Sequence, residues 1–315
     1  MTLKKGIRLA LSLFAALIII GLYVLVEHVL PYSGIMPNRL EVSKLPEFSQ
    51  GVLPSDNGLP NYEHLSIQAA DGISLDGYLI KADKPICTIV LLHGIGDCKE
   101  HYYGFCKQLS EWHCNTLIMD NRAHGSSGGQ YCTFGYYEKY DVLKLLDYAD
   151  AHQLAKPYGI FGSSLGAAIA LQTLGVSDRF DFGIIESTFD RLDKVFVEYG
   201  EDMVGIRWPF LSNHVLRKAG RIANFDPAQV NPAESCKNIR CPILMAHGTA
   251  DDRIPIRFGQ NNFANLASTE KDFLTVEGAG HNDLQRVAGR GYQYALDLFI
   301  RKSVETYNKQ QGIVH

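Results

Sequence analysis

The chain has 315 residues, 46% of them hydrophobic and 20% charged, which is enough apolar material for a sizeable core and excludes a disordered protein. Its 34 acidic and 30 basic residues leave a small, spread-out net charge of −4, which argues against a nucleic-acid partner, since that would need a basic face. Seven cysteines (87, 98, 106, 114, 132, 236 and 241) make an odd number without C-x-x-C spacing, which argues against zinc-ribbon and thioredoxin-like readings. Cys87 falls in an apolar run and reads as a small core residue, while pairing among the others stays open.

The N-terminus carries Lys4, Lys5 and Arg8, and residues 9–26 are uncharged and overwhelmingly apolar. Eighteen helical residues span about 27 Å, close to the ~30 Å hydrocarbon core of a bilayer. The run is longer than a signal-peptide core, and Tyr23-Val24-Leu25-Val26 offers no small-x-small cleavage site, so a retained anchor is expected over a cleaved leader. With the basic residues before the span and Glu27-His28 after it, the positive-inside bias puts the N-terminus in the cytoplasm. The bulk of the chain is then on the periplasmic or extracytoplasmic side. The expected division is an anchor over residues 1–30, a linker over 31–61, a main domain over 62–307 and a tail over 308–315. Pro31, Pro37, Pro46, Pro54 and Pro60 make the linker read as a stiff, irregular tether.

Residues 62–69 and 73–81 are strand-like runs joined by Ala70-Asp71-Gly72, whose Asp-Gly pair signals a hairpin. Residues 86–92 form a continuous apolar run, the pattern of a strand buried on both faces, and end in His93-Gly94-Ile95-Gly96. A helix is predicted over 99–112, then a buried strand over 116–119 that ends in Asp120-Asn121-Arg122-Ala123-His124-Gly125-Ser126-Ser127-Gly128. A helix over 136–152 leads to an apolar strand at 158–161, and a further strand follows at 182–185. Residues 188–225 hold no obvious strand; strand rhythm resumes at 242–247 and 273–276, and the last helix runs from about 284 to 307. Alternating buried strands and helices predict an α/β protein with a mostly parallel sheet, helices on both faces, and a small helical cap inserted after the sixth strand. In such sheets chemistry gathers at the carboxyl ends of the strands.

The most informative stretch is Gly162-Ser163-Ser164-Leu165-Gly166, which ends one strand and opens a helix. G-x-S-x-G in that context describes a nucleophile elbow: the turn is too tight for bulk two residues either side of the serine, and it aims the next helix N-terminus at the reaction centre. A serine hydroxyl needs an adjacent base, and the base needs an orienting acid. Of the downstream histidines (214, 247, 281 and 315), His281 lies in a glycine-rich loop straight after the last strand and is the expected base. Asp251, in His247-Gly248-Thr249-Ala250-Asp251, is the expected acid, with Glu186 as its rival. Leu165 N–H at the helix start and Ile95 N–H in the loop opposite are the expected oxyanion donors.

These five motifs, in this order, resemble the α/β-hydrolase superfamily, close to its lysophospholipase and serine-aminopeptidase-like branch, over residues 62–307. The resemblance implies that fold, an acyl-enzyme intermediate, and neither cofactor nor metal. Asn121 and Ala123 depart from the D-x-R-G-H-G pattern often found there, in a loop of mainly structural role. Met203, Trp208 and Phe210, with Leu211, Val215 and Leu216, suit an apolar substrate roof, although the same side chains also suit gluing the cap to the domain. With the anchor, they point to a membrane-anchored serine hydrolase acting on a small-molecule or lipid ester, such as a medium acyl ester or lysolipid. Two alternatives stand: a peptidase, for which Glu198, Glu201 and Asp202 offer a carboxylate pair for a substrate amine, and a non-catalytic binding module that kept the sheet.

Overall fold

A computed structural model describes residues 3–40 and 62–313, with the backbone alone at 3–6, 203 and 204. Helix α1 (Leu3–Val24) runs through a π-helical turn (Leu25–Val29) into a short helix α2 (Leu30–Ile35). Among the described residues one helical stretch, Ile7–Ile35, is long and apolar enough to cross a membrane, and its apolar part is not buried against the protein. A helix that is apolar on every face has no polar side to give to water.

The first ten residues of the expected tether are not free chain. Pro31 sits in the first turn of α2, where its missing N–H costs nothing, and Ile35 is fully buried in the main core. Arg39 donates to the carbonyls of His124, Gly125, Ser127 and Gly129. Proline content marks a break in regular structure but does not tell whether the chain is docked. Residues 41–61 lie outside the described residues.

Eight strands form one sheet in the order β1-β2-β4-β3-β5-β6-β7-β8. The hairpin of β1 (Tyr62–Gln68) and β2 (Ser74–Ile80) is antiparallel, with Tyr62 opposite Ile80 and Gln68 opposite Ser74. Strand β2 is also antiparallel to β4 (Cys114–Met119), and from there β3 (Cys87–Leu92), β5 (Tyr158–Ser163), β6 (Phe182–Glu186), β7 (Ile243–Gly248) and β8 (Lys271–Val276) continue in parallel.

The inner parallel strands β3, β4, β5 and β7 are buried on both faces because helices cover both, whereas the edge strand β8 is half exposed. In β3, Val90 and Leu92 join a core with α4 (Glu138–Ala151) and α5 (Leu165–Val176). Their neighbours Ile89 and Leu91 join a second core with α3 (Tyr103–Glu111) and α10 (Leu284–Gln310). Each fully buried Leu or Ile contributes roughly 1.5–3 kcal/mol, so the sheet is clamped where the loops that matter leave it. All seven cysteines are unpaired thiols, six of them buried.

Between β6 and β7 the chain leaves the sheet to form helices α6 (Leu192–Val204) and α7 (Pro209–Ile222), followed by the short α8 (Pro232–Cys236). The insertion departs and returns at one place: Leu192 N–H donates to Val230 O at 3.1 Å and Ala233 N–H to Asp190 O at 3.0 Å. Helix α9 (Arg257–Asn265) links β7 to β8, and α10 is broken near its start by a non-helical Gly289.

Candidate active site

Strand β5 delivers Ser164 to a turn with φ 54° and ψ −114°, a backbone conformation that a non-glycine residue holds only under constraint from its surroundings. The constraint is visible at the two glycines. A Cβ on Gly166 would lie 2.1 Å from the Leu92 carbonyl oxygen, and one on Gly162 would lie 2.4 Å from Gly166 O. Ser164 N–H donates to Glu186 O, Thr188 Oγ1 donates to Ser164 O, and helix α5 starts at the next residue. The first N–H groups of a helix have no acceptor within it, so Leu165 N–H is available beside the serine.

The structure brings together Ser164, His281 and Asp251, residues that stand 117 and 30 positions apart along the chain. His281 Nδ1 lies 2.9 Å from Asp251 Oδ2, and His281 Nε2 lies 2.8 Å from Ser164 Oγ. Nδ1–H donating to the carboxylate leaves Nε2 free to accept the serine proton. All three residues are buried. Asp251 is itself held from the other side: its Oδ1 accepts from the backbone N–H of Arg253 and Ile254, and His247 Nε2 approaches Oδ2 at 3.2 Å while also bonding Ile254 O. Burial alone would raise the Asp251 carboxyl, but hydrogen bonds from His247 and His281, the charge of His281 and the Ile254 N–H hold it well below the usual carboxylate range.

Glu186 does not reach His281. Its carboxyl takes a hydrogen bond from Tyr292, and burial pushes it up to about 7. His214 is engaged elsewhere, at Glu27. The His93-Gly94 turn lies close against the elbow: a Cβ on Gly94 would sit 3.6 Å from Ser164 Cβ. The His93 ring is occupied structurally, with Nε2 accepting from Asn121 N–H and Nδ1 against Gly94 O. Ile95 follows with its side chain 44% exposed, at the edge of the same cavity. The loop from Asp120 is an architectural knot: its carboxylate accepts from Lys99 N–H, Lys99 Nζ and Ser126 N–H, and Arg122 forms a two-pronged pair with Asp141.

Ser164 and His281 open onto a cavity of about 610 Å³, within the size range of small-molecule sites. Its walls are largely apolar. Phe134, Phe189, Leu192, Val195, Phe196, Tyr199, Trp208, Leu211 and Val215 line it from the domain and cap. Of the predicted roof, Trp208 lines the cavity, whereas Phe210 does not: it is 77% exposed on the outside of the cap. Leu216 is buried in the core, and the Met203 side chain lies outside the described residues. Glu198 and Glu201 pair with Arg207, and Glu198 also with Arg257; Asp202 lines the cavity. Sequence reasoning missed Tyr102, which lines the cavity beside Ser163 and Gly94, and it missed Leu30, Ser33 and Gly34 of α2, which line it as well. Tyr102 carried a signal in its place just beyond the His-Gly turn; the three α2 residues carried none.

The sheet order, the elbow and the cap between β6 and β7 define the class: the chain has the α/β-hydrolase fold. A model of the serine aminopeptidase S33 family matches residues 83–188, the part that holds the elbow. The uncharacterized protein YqkD of Bacillus subtilis (strain 168) is 30% identical over 202 residues, a match covering 60% of this chain and 63% of that protein. Lysophosphatidylserine lipase ABHD12 of Xenopus tropicalis is 23% identical over 316 residues, covering 89% of this chain and 79% of that one. Among solved structures, the Pyrococcus furiosus esterase Pf2001 superposes with a TM-score of 0.68 at 21% identity, covering 85% of this chain and 99% of its own; at that identity the likeness speaks for the fold alone.

Proposed function

We propose that this protein is a membrane-anchored serine hydrolase that cleaves a carboxylic ester of a single-chain lipid, such as a lysolipid or medium acyl ester, through an acyl-enzyme intermediate. The observation that carries the reading is the continuous Ser164–His281–Asp251 hydrogen-bond chain at the floor of an apolar cavity. In this reading His281 Nε2 takes the Ser164 proton as Oγ attacks the ester carbonyl carbon. Asp251 supports the imidazolium so formed, and Leu165 N–H with Ile95 N–H face the oxyanion. Collapse of the tetrahedral intermediate passes the proton from His281 to the departing alcohol and leaves the acyl group on Ser164. Water, deprotonated by the same histidine, then releases the carboxylic acid and restores the serine.

The membrane part of the reading rests on the Ile7–Ile35 helix and on Lys4, Lys5 and Arg8 before it, which favour a cytoplasmic N-terminus and an extracytoplasmic domain. The ester is favoured over the peptide because two of the three carboxylates suited to a substrate amine, Glu198 and Glu201, are neutralised by arginines. The lipase name of the Xenopus relative points the same way. A fluorophosphonate probe tests the nucleophile: the expected result is labelling of the wild type and none of Ser164→Ala. Equal labelling of both would remove Ser164 from the role, and no labelling of either would favour a non-catalytic module. Hydrolysis of aminoacyl anilides in preference to p-nitrophenyl esters would favour the peptidase.

A further inference from the structure

The stretch that leaves the anchor forms part of the substrate cavity. Leu30, Ser33 and Gly34 line it, and Gly34 packs so closely on the pocket-lining Phe196 that a Cβ there would lie 2.7 Å from the end of the ring. A latch holds this stretch to the cap: Glu27 accepts from His214 Nε2 at 2.6 Å and from Lys218 Nζ, one helical turn apart on α7. Ile35, fully buried, pins the far end. Between latch and pin the segment packs on the cap, with Leu30, Ser33 and Gly34 facing the same cavity as Ser164.

Its height above the bilayer follows from the helical rise. The uncharged run ends at Val26. At about 1.5 Å per residue Leu30 lies roughly 6 Å beyond the hydrocarbon and Gly34 roughly 12 Å, while the headgroup layer is about 5–8 Å deep on each side. The cavity wall formed by α2 therefore begins within the headgroups.

We propose that residues 27–35 are a specificity element of the site: Leu30 sets how long an acyl chain the cavity accepts, and the chain comes from an amphiphile of the same bilayer. The proposal rests on the cavity being the substrate site. A pocket that loses room for one methylene loses about fourfold in affinity for a chain that needs it. Leu30→Trp, which takes the space of roughly two methylenes, is therefore expected to weaken long chains about tenfold or more against short ones. Leu30→Ala is expected to move the optimum to longer chains.

The test uses the full chain in detergent micelles, in two arms. In the first, kcat/KM is measured on p-nitrophenyl esters from butyrate to palmitate for wild type, Leu30→Trp and Leu30→Ala. In the second, the same Leu30 changes are made in Ser164→Ala protein, and binding of fatty acids of the same lengths is read by displacement of a dansyl-labelled fatty acid. Opposite shifts of the chain-length profile in the two variants support the proposal. Profiles that coincide within twofold in both arms overturn it, even where esters are hydrolysed normally. A shifted binding profile without ester turnover would keep the proposal and remove the hydrolase reading.

Discussion

Exchange of Asp251 for asparagine is the sharpest test of the site, because backbone N–H donors on one side, which unlike the imidazoles of His247 and His281 cannot change tautomer, favour one orientation of the new amide. Oδ1 accepts from two backbone N–H groups, Arg253 at 3.1 Å and Ile254 at 2.8 Å, and turning the amide round would set its NH2 against both, at about 1 kcal/mol or more for each lost bond. The NH2 of the introduced amide would therefore face His281 Nδ1, where the carboxylate accepted a proton at 2.9 Å. To accept from it, the imidazole must carry its proton on Nε2, and it then presents an N–H to Ser164 where a lone pair is needed. The expected loss is about 10³–10⁴-fold in kcat, or roughly 4–5.5 kcal/mol of transition-state stabilisation. The assay is p-nitrophenyl butyrate turnover with fluorophosphonate labelling rates, and thermal melting shows that the variant is folded. An Asp251→Asn protein within tenfold of wild type, or a Glu186→Gln protein crippled in its place, would refute the reasoning.

Glu186 offers a different prediction. Its carboxyl, pushed up to about 7 from an ordinary 4.5, holds its proton more tightly in the native state than in the unfolded chain. The associated stability is complete below about pH 4.5 and falls by up to about 3 kcal/mol as pH rises through 7. Urea midpoints at pH 5 and pH 8 should show that fall in the wild type and a smaller one in Glu186→Gln; identical falls would contradict it. Gly166→Ala drives a Cβ to 2.1 Å from Leu92 O, so we expect destabilisation of about 3 kcal/mol or more and loss of probe labelling in the fraction that folds. Arg122→Ala strips a buried partner from Asp141, whose carboxyl burial already pushes up to about 6; a loss of about 3–5 kcal/mol is expected in denaturant titrations, and a loss under 1 kcal/mol would mean that water reaches the site.

The parallel strands were legible because a strand buried on both faces must be apolar at every position, and runs such as Ile89 to Leu92 admit little else. The elbow was legible for a steric reason that can be stated from composition: only glycine fits two residues either side of Ser164. What escaped was direction. Trp208 and Phe210 are equally apolar and two residues apart, yet one faces the cavity and the other the solvent, since the start of α7 falls between them. The role of α2 escaped for a related reason. Its prolines and short length describe a local break, and nothing local encodes the tertiary surface on which Ile35 and Arg39 come to rest.

The narrow waist of the cap has a practical consequence for anyone who wants to redirect the protein. Because the insertion exits and re-enters through two neighbouring backbone bonds, at Leu192 with Val230 and at Ala233 with Asp190, a foreign lid could be spliced there if it replaced the core contacts of Leu216 and Ala219. A transplant cut at those joints alone would nonetheless arrive without its counterpart. Glu27 is matched to His214 and Lys218 of this lid, so the unit that travels intact is the lid together with residues 27–35.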